Sequence, residues 1–232
     1  MLNSTIEIKI KQRLNKLDSQ DYDNIECWQI VEAFNKAQVE WARRQLHGIN
    51  VVKEGDEGST RRKDDLQVLL NTQELDLTDK DYYYFGKLPV EYLQWKRVDV
   101  YAKKECCEKR RMTVYLAEEG NLNQLLRDTM KKPSFDWAET FATLKDNKVN
   151  IYTNREFEVA SADLTYYRQP RKIQIQGCID PYTGVESLVN VESEFKDDII
   201  EVIIDEAVSI LAGDIESSNQ FTRGTETAER NN

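Results

Sequence analysis

The side chains in this chain that could do chemistry are few and scattered. There is one histidine, His47, and there are four cysteines, Cys27, Cys106, Cys107 and Cys178, none in a CxxC pair. A Cys/His zinc site needs four ligands at set spacings and has little to build on here. All four cysteines read as thiols of a reducing cell, packed as small side chains. His47 stands beside Gly48 at the end of a helical pattern, which suits a cap or a surface position better than a general base. The segment EGDEG crowds Glu54, Asp56 and Glu57 together. It lacks the spaced oxygen ligands of a calcium loop and reads as solvated. Adjacent carboxylates such as Asp197–Asp198 and Asp205–Glu206 point in different directions on a helix, so they make no catalytic dyad. Glu201 and Asp205 do share a face, which should meet water or a basic surface on a neighbour. No phosphate-binding GxxxxGK, GxGxxG, HExxH or GxSxG occurs. The expectation is a protein that is not an enzyme, with no catalytic, cofactor or metal residues.

One stretch is richer. LTYYRQPRKIQIQGCIDPYTG, residues 164–184, sets Tyr166, Tyr167, Arg168, Arg171 and Lys172 ahead of alternating isoleucines and an Asp180–Gly184 turn. Such residues can stack bases and grip phosphates. No recognition helix accompanies them. Tyrosine and arginine at a strand edge are also good material for a protein interface, combining broad contact with directional hydrogen bonds. Assembly is the reading favoured here.

The elements that would position these groups follow from hydrophobic spacing. STIEIKIKQRLNKLDS, with Ser4 as a cap, carries Ile6, Ile10, Leu14 and Leu17 at helical intervals. A longer helix, capped by Asp23 or Asn24, sets Trp28, Val31, Phe34, Ala37 and Trp41 along one side, with Arg43 and Arg44 in its closing turns. Residues 50–59 read as a loop. TRRKDDLQVLLNTQEL, containing Arg61 and Arg62, reads as a short helix ending near Asn71. The aromatic run Tyr82–Phe85 favours a strand. From Arg97 the period drops to two: Val98, Val100 and Ala102 alternate with polar residues, and RMTVYLAEE supplies an antiparallel partner. NLNQLLRDTM reads as a short helix and FDWAETFATL is ambiguous. KVNIYTN, EFEVASADLTYY and RKIQIQGCI read as successive strands. Finally, Ile199, Ile203, Ala207 and Ile210 mark a helix over 197–214, with Asp197 and Asp198 suited to its first turn. The predicted class is α+β, with amphipathic helices at both ends and an antiparallel strand-rich middle. The expected domains are a helical core of 1–96 plus 185–216, a mainly antiparallel β region over 97–184, and a polar C-terminal arm over 217–232 whose one large apolar residue is Phe221.

The 232 residues suffice to bury roughly 70% of the unfolded surface. Acidic residues outnumber basic ones 42 to 32, a formal charge of −10, which weighs against a free-standing DNA binder, since neutralising phosphates needs a basic field. No secretory signal pattern opens the chain and no apolar run approaches a membrane span. The expectation is synthesis in a cytoplasm and no membrane insertion.

WQIVEAFNKAQVEWARRQ (28–45), RRKDDLQVLL (61–70), LTYYRQPRKI (164–173) and DDIIEVIIDEAVSILAGD (197–214) together resemble the head–tail connector, or portal-adaptor, ring proteins of crAss-like bacteriophages of gut Bacteroidales. A helix with an EA-x-x-I-L core after a YYR-x-P strand region is similar to head–tail adaptors of other tailed phages as well. The resemblance runs over nearly the whole chain. It implies a structural virion protein, made in the host bacterial cytoplasm, that forms a homo-oligomeric ring of twelve copies at the head–tail junction. Portal protein would lie on one side and a tail ring or fibre-anchoring protein on the other, with double-stranded DNA passing through the lumen at ejection. Carried onto this sequence, residues 24–46 and 197–214 would form the ring, 217–232 would reach a neighbour, and 97–180 would face another component. Trp28, Trp41, Arg43, Arg44, Arg61, Arg62, Tyr166, Tyr167, Arg168, Arg171 and Phe221 are the candidate assembly contacts, the four arginines before residue 63 as subunit contacts and the acidic residues as lumen wall. Twelve copies at −10 each give a formal −120, a wall that repels DNA. Alternative readings are another tail-ring, stopper or fibre-anchoring virion protein, and a nucleic-acid-binding regulatory module.

Overall fold

The computed structural model describes residues 1–15, 25–47, 64–105 and 107–214, and the fold is α+β. The chain forms two compact units, one of residues 1–68 with 170–232 and one of residues 69–169. These boundaries correct the expected ones. Residues 69–96 belong with the strands because they supply four of them or their beginnings, and 170–184 belong with the helices because the pairing of the last strand stops short of Pro170.

In the helical unit, α1 (Asn3–Asn15) and α2 (Cys27–His47) both pack with α4 (Asp197–Asp214). Ile6, Ile10 and Leu14 of α1 are fully buried, as their spacing requires. Leu17, the caps at 23–24 and the loop 50–59 lie outside the described residues. On α2 the buried stripe is Ile30, Ala33, Phe34, Ala37, Trp41 and Ala42, while Trp28 and Val31 are half-buried at its margin. Trp41 meets Phe195 edge to face at 5.1 Å between ring centroids. On α4 the buried face is broader than four positions: Ile200, Ile204, Val208 and Leu211 join Ile199, Ile203 and Ala207, and Ile210 is half-buried. A helix packed by two others needs two stripes, and the run of isoleucines supplies both.

The second unit is an eight-stranded sheet. Its strands are β1 (Leu70–Glu74), β2 (Thr78–Asp79), β3 (Tyr83–Lys87), β4 (Tyr92–Lys104), β5 (Cys107–Leu116), β6 (Glu139–Lys145), β7 (Lys148–Tyr152) and β8 (Glu158–Arg168), in the spatial order β1-β8-β4-β5-β6-β7-β3-β2. All pairs are antiparallel except β5–β6, whose crossover carries the short helix α3 (Leu122–Arg127). The expected helix reaching Asn71 stops short: a 3-10 turn ends at Leu69 and β1 begins at Leu70, drawn into the ladder by β8. FDWAETFATL divides into a turn over 135–138 and the start of β6 from Glu139.

The order of strands has a geometric consequence. β1 and β2 lie at opposite ends of the sheet, yet only residues 75–77 join them. Four Cα steps reach at most about 14 Å, whereas eight flat strands are about 34 Å wide. The sheet must therefore roll until its ends meet. Leu75 shows the meeting: its amide donates to the Ala162 carbonyl on β8 at 2.8 Å, and a Cβ added at Gly86 on β3 would stand 3.0 Å from its own Cβ. The concave face holds one core, with Val98, Val100, Met112, Val149, Ile151 and Leu164 among its buried members. On the other face Tyr115, Phe141, Tyr152 and Tyr83 form a ladder with successive centroids 5.8, 5.0 and 5.6 Å apart.

Candidate interaction surface

The third expected strand, RKIQIQGCI, is not part of the sheet. Residues 173–191 instead double back as an irregular hairpin arm of the helical unit. Amides and carbonyls of Gln174 and Val191 exchange hydrogen bonds, Ser187 donates to Cys178 and accepts from Gly177, and Asp180 donates to Val185. The tip is the expected Asp180–Gly184 turn. Asp180 Oδ1 accepts the Tyr182 amide at 2.8 Å, which holds its carboxyl below the usual range, and Gly184 takes the left-handed φ of 67° that a glycine accepts without strain.

Polar side chains of α1 and α2, two of them buried and Asn35 half-buried, hold the legs of this arm. Asn3 Nδ2 donates to the Gln174 carbonyl at 2.8 Å and to the Val191 carbonyl at 2.9 Å, one from each leg. Asn35 Oδ1 accepts the Ile173 amide at 2.8 Å, and Gln38 Nε2 donates to the Arg171 carbonyl at 2.9 Å. Ile173 itself is fully buried. A disulfide joins Cys27, the first residue of α2, to Cys178 on the arm. This corrects the reading of all four cysteines as thiols: the two are 151 residues apart, and their pairing depends on how the arm folds back. Beyond these anchors the side chains turn apolar and outward. Ile179, Tyr182, Val185, Leu188 and Val189 are 56%, 80%, 64%, 82% and 55% exposed. Five large apolar side chains exposed on one short arm are more than the scattered apolar residues ordinary at a protein surface.

The sequence candidates separate sharply. Tyr166 is core, 1% exposed, stacked on Tyr92 at 5.9 Å between centroids, so it meets no partner surface. Tyr167 is half-buried under Lys96, and Arg168 is half-buried. Arg171 is exposed, and its amide donates to Glu194 at 2.9 Å. Trp41 is buried within the protomer, while Trp28 is half-buried. Arg44, expected at a subunit contact, is engaged within its own chain by Glu206 at 2.6 Å; Arg43 is exposed. The shared face of Glu201 and Asp205 likewise meets Lys9 and Arg13 of α1 rather than a neighbouring chain. Arg61, Arg62 and Phe221 lie outside the described residues, as does EGDEG. Asp64 and Asp65 are paired with Lys196.

Among these groups Glu206 is chemically distinct. It is 4% exposed, and burial pushes its pKa up to about 7, against the pull of Arg44 and with the help of nearby Glu40. The pair joins α2 to α4 across the helical unit. Among the described residues no three His, Cys, Asp or Glu side chains converge as a metal site would require, and no helix is long and apolar enough to cross a membrane. No protein-family model matches the chain, and no curated protein is similar to it.

Proposed function

We propose that this protein is a structural virion subunit: an adaptor that assembles into a ring at the neck of a bacteriophage, joins portal to tail and leaves a lumen for DNA. The observation that carries the reading is the arm, with five large apolar side chains more than half exposed on a backbone pinned by a disulfide and by buried amides. A monomer derives no stability from such a surface, and a subunit uses it. The acidic balance supports a DNA conduit, since a wall of like charge keeps DNA from adhering. The resemblance of the two long helices and the YYRQP segment to portal adaptors supplies the place in the particle.

The test is electron cryo-microscopy of the native particle that carries this protein, with symmetry determined at the neck. The expected outcome is density for this fold in a twelve-fold ring between portal and tail. Density in a distal tail ring or fibre junction would keep the virion class and remove the adaptor role. Absence from the particle would overturn the reading.

A further inference from the structure

One edge of the sheet is left without a strand. Among the described residues β8 is the only strand paired with β1, and all five residues of β1 are exposed. The bond from the Leu75 amide to the Ala162 carbonyl fixes which backbone groups face that edge. These groups alternate along a strand, so Asn71, Gln73 and Leu75 turn theirs to β8, and Leu70, Thr72 and Glu74 turn theirs outward. The Thr72 amide agrees, since it donates not to β8 but to Asn71 Oδ1 at 2.9 Å. Asn71 and Gln73 stand opposite the core residues Tyr166 and Leu164 in the register and are nevertheless exposed, so the rolled sheet is open along β1.

Proteins blunt an outward edge with lysine, proline or a bulge. β1 reads LNTQE, has neither residue, and keeps an unbroken register with β8. What fits such an edge is an extended chain, which presents amides and carbonyls at the same repeat. Its side chains should be polar, except beside Leu70, which is 43% exposed and offers a place for one apolar group. Its charge should be positive there, because from Leu69 to Asp79 the chain has Glu74, Asp76 and Asp79 and no lysine or arginine. The eighteen residues that follow α4, Ile215 to Asn232, contain a match. They include no proline, and Asn219–Arg223 reads NQFTR, with the strand formers Phe221 and Thr222 followed by a cation. Extended, eighteen residues span about 60 Å, enough to leave one copy and reach another.

We propose that β1 is an acceptor for an added strand and that residues 219–223 of a second copy supply it, main chain to main chain. The inference rests on the ring reading above, and the contact adds to the arm rather than replacing it. Each copy carries one acceptor and one donor, so the contact is head to tail and repeats around a ring.

Photochemical coupling of the full chain tests it. A light-isotope chain with Phe221 replaced by photoreactive benzoylphenylalanine is mixed, while dilute, with a heavy-isotope wild type; the mixture is then concentrated and irradiated. Position 221 of the light chain should couple to Leu70–Glu74 of the heavy chain. Glu74→Pro in the heavy chain removes an outward amide and leaves the bonds of Asn71 and Gln73 to β8 in place. It should keep the circular-dichroism spectrum and lower that coupling roughly fivefold to tenfold, the worth of one main-chain hydrogen bond. Coupling undiminished by the proline, coupling elsewhere on the heavy chain, or coupling confined to light chains overturns the strand addition, and the ring reading stands if the oligomer forms. A wild type that stays single at every concentration overturns both. Should the proline variant fail to fold, the coupling site on the wild-type heavy chain decides the matter.

Discussion

At the residue scale, Glu206 carries the most specific consequence. Its carboxyl is protonated more readily in the folded chain, at about 7, than at the ordinary value of 4.5. A raised acid binds its proton more tightly when folded, so its stabilising contribution is complete below the unfolded pKa and is lost as pH rises through the folded one. The window is therefore pH 4.5 to about 7, and the loss across it is at most about 3 kcal/mol. Glu206→Gln removes the titration. We expect urea unfolding at pH 5 and pH 8 to show the variant gaining on the wild type at the higher pH; an unchanged difference would mean that Glu206 titrates as an exposed carboxylate does. The sequence places Glu206 beside Asp205 on an amphipathic helix but cannot show Arg44, 162 residues away, as its partner. The same distance hides the work of Asn3, Asn35 and Gln38. The one local sign was Gln38, a polar residue inside the apolar stripe between Ala37 and Trp41 and fully buried in the fold.

At the scale of elements, periodicity was the readable part and pairing the unreadable one. α1, α2, α4, β4, β7 and β8 stand where spacing of 3.6 or 2 places them, β3 stands where its aromatic run places it, and β5 starts at Cys107, ahead of the Arg111 at which RMTVYLAEE begins. β1 was read as the end of a helix because LLNTQ has no alternation of its own; all five of its side chains are exposed, and β8 alone makes it a strand. RKIQIQGCI alternates properly, yet its alternation serves to bury Ile173 among the helices after Pro170 ends the ladder. The roll of the sheet leaves one readable mark, Gly86, which strand propensity does not explain. Gly86→Val would force side-chain carbon into Leu75, and we expect a loss of about 1–3 kcal/mol in the sheet unit, measured by denaturant unfolding followed by the fluorescence of Trp95 and Trp137. The arm makes a second prediction. Cys178→Ser, or reduction of the wild type, should destabilise the helical unit by roughly 2–4 kcal/mol, the cost of releasing a long unfolded-state loop. The hydrogen bonds of Asn3 and Asn35 should keep the arm's fold, so amide exchange at Ser187 and Val191 should stay slow in the variant. Fast exchange there would assign the arm's order to the disulfide alone.

For the whole molecule, the proposed ring asks what each part of the chain contributes to assembly and what to stability. The buried face of α4 is complete by Leu211 and Ala212, and the residues from Ser217 onward contain one large apolar side chain, Phe221. Truncation after Ser217 therefore removes almost no apolar area, and since stability follows buried apolar surface it should leave the melting temperature within about 1 °C of the wild type. A polar segment with a single aromatic anchor can still contribute to binding a second surface. On the adaptor reading that surface is the portal or an adjoining subunit. The truncated chain should thus fold and form the arm-mediated oligomer, yet fail to co-sediment with assembled portal particles that retain the full chain. Equal co-sedimentation of both forms would remove the reaching role from 217–232 and leave docking to the helices. A lower melting temperature would instead make the segment part of the protomer's own core. The two measurements separate a contribution to folding from one to assembly, the distinction on which the arm, the arginines and the acidic charge of this chain all depend.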